Sequence, residues 1–359
     1  MFLVFTGIYV KGNVMVFHRL KLDTAATYHV MSRIVDKQLI IKDLEKCYLR
    51  GLLSRLEVFT GCKVRTFSFL DNHFHILLHV PLKIELDDKE VKRRAKVLYG
   101  AKKYALMEDQ WKEWQEGGQE YRVAEQLDKF RARMFELSQF MKTFKQCFSI
   151  YYNSNHERRG TLWEERFKSV LVEESEYAQL VVGAYIDLNP VRAGIVKDPK
   201  DYRWSGYGEA VGGIKLLGAY AAESKRNICD LFVNSEVDEK QALMQYREIL
   251  YSQGACRHDE LTGQVIRAGF SREQVDKVLD GGGRLPLIEA LHCKVRYFSD
   301  GVVIGGKAFV DKILKERSDI FTGKRRARGA KEMKFGVWGG LCAARELRVR
   351  VIKAIGVSG

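Results

Sequence analysis

The seven cysteines of this 359-residue chain are scattered, and no two of them form a CxxC pair. A disulfide-stapled fold or a structural zinc module is therefore not indicated, and a reducing, cytoplasmic compartment is favoured. The chain also lacks any apolar run close to the roughly 18 residues that a membrane-spanning helix needs. The apolar start, MFLVFTGIYV, has no basic leader and no clear small-residue cleavage site, so we expect no signal peptide.

What the chain has in excess is positive charge. Lysine and arginine number 60 against 46 acidic residues, a formal net charge of +14. With 46% hydrophobic and 30% charged residues, the composition is that of an ordinary folded globular protein. The excess charge favours a polyanionic partner, most simply nucleic acid, although a merely basic globular protein is the plain alternative.

Hydrophobic spacing predicts six elements in the main part of the chain, in the order strand, helix, strand, strand, strand, helix. They span residues 26–35, 41–61, 63–70, 74–81, 164–173 and 175–190. The charged stretch from 87 to 149 is helix-prone and supplies a further helix before the strand at 164–173. This order predicts an α+β fold of the ferredoxin-like, split βαβ kind, with an antiparallel sheet and helices on one face.

Composition divides the chain into three segments. Residues 1–25 form an N-terminal arm, which is either genuine or the product of an overlong gene model. Residues 26–210 form the α+β domain, in which 82–130 is a charged helical insertion. Glycines cluster between 210 and 220, and residues 221–359 are predicted to form a mainly helical region. That region is either ordinary helical packing or a DNA-binding accessory domain with a helix-turn-helix entered at Gly305-Gly306.

Two histidines in the segment NHFHILLHVP flank a single bulky residue. Side chains alternate along a strand, so His73 and His75 share one face, about 7 Å apart along the backbone. The opposite face is fully apolar and should meet the core, which leaves the two imidazoles on the exposed face. They could hold one metal ion together, or they could be satisfied surface or cross-strand histidines without a ligand.

A second polar pair occurs in YIDLNPVRAG. Tyr185 and Asn189 are four residues apart and lie on one face of a helix, with Asn189 in the last turn before Pro190. A phenol beside a carboxamide suits a nucleophile next to a metal ligand. The alternative is an amphipathic helix with a half-buried tyrosine and a capping asparagine.

Together these segments resemble a known family. NHFHILLHVP is similar to the HUH motif of single-tyrosine transposases, and YIDLNPVRAG is similar to the helix that carries their tyrosine. YHVMSR and RRGTLWEERFKS resemble their first strand and the segment before that helix. The subgroup with the strongest resemblance is the REP-associated tyrosine transposases, relatives of the insertion-sequence-200-like enzymes, over residues 26–207.

The resemblance implies a site and a reaction. His73, His75 and Asn189 would bind a divalent ion, Mg²⁺ or Mn²⁺, although two histidines alone would also suit Zn²⁺. Tyr185 would attack single-stranded or hairpin DNA and form a 5′-phosphotyrosine intermediate, which serves strand transfer. No GxxxxGK[ST] loop is present, and this transesterification needs no nucleotide. A homodimer is compatible with the sequence.

Two other functions fit the same residues. The chain could be a catalytically retired transposase that acts as a DNA-binding protein. It could also be a metal-dependent phosphoesterase that uses water, with Tyr185 only structural.

Basic residues beside an aromatic residue are typical of single-strand binding. Two stretches contain candidate DNA-binding residues: Arg158, Arg159, Trp163, Arg166 and Lys168 before the tyrosine helix, and Lys324, Arg325, Arg326 and Arg328 near the C-terminus. The alternatives are a solvated charged loop with Trp163 in the core, and a solvated tail-like segment at 324–334.

Overall fold

The computed structural model describes residues 20–212, 218–233, 237–251, 257–258, 265–267, 287–292, 295–317, 319–321, 323, 327–345 and 347. The N-terminal arm predicted at 1–25 lies outside the described residues, except for its last six. Strands and helices mix along the chain, which confirms the α+β class.

The described strands form one large sheet and one small pair. They are β1 (Ala26–Arg33), β2 (Lys63–Phe69), β3 (His73–Val80), β4 (Lys168–Val172), β5 (Arg257–His258), β6 (Val265–Arg267), β7 (Val303–Gly305), β8 (Lys331–Glu332) and β9 (Cys342–Ala343). The large sheet has the order β2-β3-β1-β4-β7-β9-β8, and β5 pairs with β6 separately. Its first four strands pair antiparallel, whereas β4 and β7 run parallel.

The described helices fall between and after these strands. They are α1 (Asp43–Thr60), α2 (Asp88–Tyr99), α3 (Ala101–Glu116), α4 (Glu120–Arg131), α5 (Leu137–Asn155), α6 (Glu176–Asp187), α7 (Asn189–Arg192), α8 (Gly206–Val211), α9 (Gly218–Cys229), α10 (Glu239–Tyr251), α11 (Leu287–His292), α12 (Arg296–Asp300) and α13 (Lys307–Glu316). The charged segment predicted at 82–130 contains α2, α3 and α4.

Helices α1 and α5 cover one face of the sheet. In α5, Phe140, Phe144 and Phe148 recur every four residues, so they form one apolar stripe that packs on the strands. Helix α1 ends at Gly61, whose φ of 76° is the left-handed conformation that glycine adopts without strain. Phe74 of β3 meets this helical layer, with its ring 5.2 Å from that of Phe144.

The other face of the sheet is covered as well, contrary to the prediction of helices on one face only. Helix α6 is buried from Ala178 to Asp187, so it is apolar nearly all round and lies inside the protein. Leu77 of β3 and Val170 of β4 join α6 and residues of α10 and α12 in a second core. The face that was predicted to be exposed is therefore an interior surface.

The C-terminal region adds strands to the sheet. Leu171 donates its N–H to the carbonyl of Val302, and Glu173 donates to that of Ile304, which joins β7 to the edge of β4. A strand thus lies between α12 and α13, at the position where one of the two alternatives for this region placed the entry of a helix-turn-helix, Gly305-Gly306. Gly305 is needed for this junction, because an added Cβ would lie 2.7 Å from that of Glu173.

Candidate active site

The two histidines of the HxH segment lie on β3, in the interior of the sheet. His75 pairs with Met31 of β1 on one side and with Ser68 of β2 on the other. It is only 6% exposed, because the second core covers this face. The prediction that both imidazoles lie on an exposed face is therefore wrong for His75, whereas His73 at the strand end is half-buried.

His73 is held by the turn that precedes β3. Asn72 donates its side-chain N–H to the carbonyl of Lys37 (3.1 Å), which leaves Asn72 Oδ1 as an acceptor 2.6 Å from His73 Nδ1. His73 Nδ1 therefore donates, and in the neutral ring Nε2 is the unprotonated nitrogen. The ring centroids of His73 and His75 are 5.2 Å apart.

A third histidine completes the group. His29 of β1 is fully buried, and its Nε2 lies 2.9 Å from Nδ1 of His75. Burial lowers the pKa of His29 to about 3, opposed by the main chain of Phe298. Burial, then the rings of His29 and His73, lower the pKa of His75 well below its usual value. Both buried rings are thus neutral at pH 7.

Tyr185 of α6 lies beside these rings. Its ring centroid is 6.5 Å from that of His75 and 6.2 Å from that of His29. The ring of Phe298 stacks on it at 4.3 Å, and the guanidinium of Arg192 lies 3.9 Å from its centroid. Burial raises the pKa of the Tyr185 phenol, and Arg192 opposes that rise. The phenol is therefore protonated at neutral pH in this state.

Asn189 begins helix α7 instead of ending the preceding helix. Helix α6 ends at Asp187, and Pro190 follows Asn189 in the first turn of the next helix, where a missing N–H costs nothing. The Asn189 side chain is buried, and its Nδ2 makes no hydrogen bond to any described residue. A buried N–H group without a partner is uncommon, and such a group can donate to a ligand oxygen but cannot bind a cation.

Asp187 fixes the rotation of α6. Its carboxylate accepts from Thr66 Oγ1 (2.8 Å), from Tyr246 Oη (2.6 Å) and from the N–H of Tyr207 (3.0 Å). These donors come from β2, α10 and α8, so three elements hold the helix that carries Tyr185. Burial raises the pKa of Asp187 to about 6, against the lowering effect of these bonds. No sequence motif marks Asp187, His29, Arg192 or Phe298 as site residues.

The donor set can be tested against a divalent ion. Imidazole nitrogens bonded to one ion at about 2.1 Å, at an octahedral or tetrahedral angle, hold ring centroids roughly 4.6 to 5.3 Å apart. The 5.2 Å between His73 and His75 fits that range. No described group of three or more His, Cys, Asp or Glu side chains could hold a metal. An ion here would therefore need an oxygen such as the amide of Asn189.

The basic stretch before α6 divides into exposed and buried members. Arg159 and Arg166 are exposed, and Arg158 donates to the carbonyl of Thr161 (3.0 Å). Lys168 is exposed and pairs with Asp300 (3.1 Å). Trp163 is only 8% exposed, and its indole N–H donates to Ser149 Oγ (2.9 Å), a placement that favours the core alternative.

The second basic stretch is only partly described. Lys324, Arg325 and Arg326 lie outside the described residues, and Arg328 is exposed. Their roles in DNA binding, like those of the first stretch, stay predictions.

A similarity to a solved structure was found, and no match to a protein family. No protein-family model matches the chain, and no curated protein is similar to it. A solved structure of a REP-associated tyrosine transposase bound to a REP hairpin is similar, with 14% identity and a TM-score of 0.34. The similarity covers 55% of this chain and 87% of that one. Among the described helices, none has the length and apolar character to cross a membrane.

Proposed function

We propose that the protein is a metal-dependent DNA nickase and strand-transferase of the HUH transposase type, in which Tyr185 is the nucleophile. One observation carries the proposal: the Tyr185 ring lies 6.5 Å from that of His75, and Asn189 follows it by four residues in the next helix. A tyrosine that is only a core residue does not need a group of three histidines beside it.

The proposed reaction is a transesterification at phosphorus. The Tyr185 oxygen forms a bond to the scissile phosphate, its proton is lost, and the bond to the 3′-oxygen breaks. The leaving 3′-oxygen takes up a proton, and the 5′-phosphate stays on the tyrosine. A second 3′-hydroxyl reverses the step and joins new ends. A divalent ion, when bound at His73, His75 and Asn189, supplies charge neutralisation at the non-bridging oxygens.

The order of strands supports a ferredoxin-like arrangement in the proposed catalytic domain. Strands β1 to β4 occur in the order β2-β3-β1-β4, all antiparallel, with α1 and α5 crossing one face. Such an order is expected for the split βαβ arrangement, here with β7 added at the edge. In this arrangement β3 carries His73 and His75, and α6, the helix after β4, carries Tyr185 next to them.

The proposed substrate is single-stranded DNA or the single-stranded part of a hairpin, met in the cytoplasm. The net charge of +14 supports a polyanionic substrate. The exposed side chains of Arg159 and Arg166 precede the tyrosine helix and would follow the phosphate backbone.

A retired transposase that only binds DNA is the second candidate. The observation in its favour is the burial of Tyr185, which is 3% exposed beneath Phe298. A buried phenol cannot reach a phosphate unless the residues above it move.

Tyr185→Phe separates these functions, because it removes one oxygen and preserves the packing of the ring. Labelled single-stranded hairpin DNA with Mg²⁺ is run on a denaturing gel, and the adducted peptide is identified by mass spectrometry. The wild type should form an adduct on Tyr185 that EDTA abolishes, and Tyr185→Phe should form none. Tyr177→Phe, an exposed position on the same helix, is the matched control.

Each other outcome contradicts the proposal in its own way. Cleavage that persists in Tyr185→Phe without an adduct indicates a phosphoesterase that uses water. Binding without cleavage by the wild type indicates the retired transposase. An adduct on a different tyrosine overturns the assignment of the nucleophile.

A further inference from the structure

The first half of the helical insertion is strongly basic and has no role in the proposed reaction. Residues 89–107 contain seven lysines and arginines against one acid, Glu90. Glu90 is already bonded to Arg93 (2.6 Å) and Arg94 (2.7 Å), which leaves five lysines without a compensating charge in this stretch. Four of them flank the turn between α2 and α3 and form what we call the lysine surface: Lys92, Lys96, Lys102 and Lys103.

The lysine surface forms no ion pair with any described residue. Asp88, the other acid of α2, pairs with Arg131. Elsewhere on the insertion an exposed lysine does have a partner, since Lys129 pairs with Glu125 at 2.8 Å. Like charges on neighbouring turns of a helix repel each other, so an unpaired basic cluster creates a positive potential that a polyanion can neutralise.

Aromatic rings hold three of these lysines in place without neutralising them. The distances from Nζ to the ring centroid are 5.4 Å for Lys92 over Trp111, 5.7 Å for Lys96 over Tyr104 and 5.2 Å for Lys103 over Tyr99. A ring attracts an ammonium group through its quadrupole but carries no net charge, so the positive potential remains. Lys96, Lys102 and Lys103 are exposed, and Lys92 is half-buried.

The same rings distinguish between two forms of DNA. Sites for single strands stack the bases on accessible aromatic rings. Tyr104 and Trp111 are only 4% and 5% exposed, so these two rings offer no surface for stacking. Ammonium groups above buried rings suit a phosphate backbone whose bases are already paired with each other. The lysine surface therefore fits a duplex better than a single strand.

The sheet lies between the lysine surface and Tyr185. Helix α2 packs on α1, and Val91, Ala95 and Leu98 of α2 belong to the same core as α1. That core lies on one face of the sheet, whereas α6 and Tyr185 belong to the core on the other face. Neighbouring layers of sheet and helix are about 10 Å apart, so one nucleotide cannot contact both places.

We propose that the lysine surface binds the phosphate backbone of duplex DNA, at a site separate from the one proposed for the scissile strand. Its ammonium groups contact phosphates and no bases, so the binding does not depend on DNA sequence. The binding does not require the chemistry at Tyr185, and it gives the insertion a function beyond the proposed reaction.

The test is a triple variant of the full chain, Lys92→Gln with Lys96→Gln and Lys103→Gln. Glutamine has a helix propensity close to that of lysine, so α2 and α3 should stay folded, which circular dichroism checks. The probe is a labelled blunt duplex of about 20 base pairs, and fluorescence anisotropy measures its binding between 50 and 300 mM NaCl. The variant should bind the duplex at least about tenfold more weakly at 100 mM NaCl. The slope of log binding constant against log salt should become less negative by about 0.9 for each lysine that contacts a phosphate.

A second triple variant has the same net charge and serves as the control. It changes three lysines that are paired with acids, which are Lys129, Lys200 and Lys312, each to glutamine. The control should bind the duplex within about threefold of the wild type. Both triple variants should also bind an unstructured oligothymidine within about threefold of the wild type, because a single strand is not the partner of the lysine surface.

Every other outcome contradicts the proposal. Equal duplex affinity in the wild type and the lysine-surface variant overturns it, as does a wild type that does not bind the duplex. Equal weakening by both triple variants shows that overall charge is responsible. Displacement of the duplex by polyglutamate as effectively as by unlabelled duplex of equal charge indicates an acidic protein partner instead. Loss of duplex binding in the lysine-surface variant, in a protein that forms no adduct on Tyr185, supports this proposal and contradicts only the proposed function.

Discussion

At the scale of single residues, burial decides which side chains of the basic stretch can contact DNA. Trp163 lies in the core, where its ring centroid is 5.5 Å from that of Phe74 and 5.7 Å from that of Phe148. Arg159, four positions earlier, is exposed. The same stretch of sequence thus contributes one side chain to stability and another to the surface.

These two residues predict opposite effects. Trp163→Phe removes the indole N–H bonds to Ser149 and Lys145 and should lower the free energy of unfolding by about 1–3 kcal/mol, with DNA affinity unchanged. Arg159→Ala should change stability by less than about 0.5 kcal/mol and weaken DNA binding. Urea unfolding and fluorescence anisotropy with a labelled oligonucleotide measure both quantities. Weaker DNA binding by a folded Trp163→Phe variant would contradict this prediction and indicate that the indole contacts DNA.

Asp187 predicts a dependence of stability on pH. Its pKa is raised from 3.8 to about 6 in the folded protein, so the folded state binds a proton that the unfolded state has lost. The stability from this proton is complete below pH 4 and is lost as pH rises through 6. The free energy of unfolding should fall by an amount on the order of 3 kcal/mol over this range. Asp187→Asn cannot ionise, so its free energy of unfolding should not show this fall.

The measurement is urea unfolding of the wild type and of Asp187→Asn at pH 4.5 and pH 7.5. The free energy of unfolding of the wild type, relative to the variant, should fall as pH rises. A difference that is the same at both pH values would show that Asp187 does not titrate in this range.

At the scale of elements, α12 covers the helix that carries the proposed nucleophile. Phe298 lies between Tyr185, with which it stacks at 4.3 Å, and Trp338, whose ring centroid is 5.6 Å away. Lys168 pairs with Asp300 at the end of α12 and ties that helix to β4. In the proposed reaction, a substrate would therefore contact α12 before it could reach Tyr185.

Shortening Phe298 should open this cover. In the wild type without DNA, tetranitromethane should nitrate Tyr121, which is 64% exposed, but not Tyr185. Phe298→Ala should make Tyr185 reactive, at a cost of about 3–5 kcal/mol in the free energy of unfolding. Peptide mass spectrometry measures both tyrosines, with Tyr121 as the internal control. Nitration of Tyr185 in the wild type at the rate of Tyr121 would contradict the burial described here.

Helices and strands with a long hydrophobic pattern could be predicted from the sequence. Short strands that pair with a partner far away in the sequence could not. The alternation from His73 to Val80 fixed β3, and the spacing in 41–61 fixed α1, because both patterns are local. Strand β7 has three residues and joins a partner more than a hundred positions earlier, so no local pattern indicates it. The burial of the HxH face comes from the second core, to which α10 and α12 of the C-terminal region contribute. His29 lay in a recognised strand, but its contact with His75 is diagonal across β1 and β3.

At the scale of the whole molecule, the net charge of +14 predicts strongly salt-dependent DNA binding. For single strands the logarithm of the binding constant falls with the logarithm of salt concentration, with a slope of about −0.7 for each phosphate neutralised. Arg159→Ala and Arg166→Ala should each make that slope less negative by about 0.7. Binding measured between 50 and 300 mM NaCl tests this, and Lys129→Ala, on the exposed side of α4, is the control. If both variants have the slope of the wild type, neither arginine contacts a phosphate of the DNA.

Because β7 pairs with β4 from a distant part of the sequence, the sheet and its cover are completed late during translation. Residues 26–192, which carry His73, His75, Tyr185 and Asn189, are translated before β7 and α12. At about 5–20 residues per second, the interval before β7 lasts roughly 6 to 20 seconds. During that time α6 can pack on β2, β3 and β4, but the cover that Phe298 forms over Tyr185 is not yet made. Each newly synthesised molecule should therefore pass through a short-lived stage in which the Tyr185 side of this helix is uncovered.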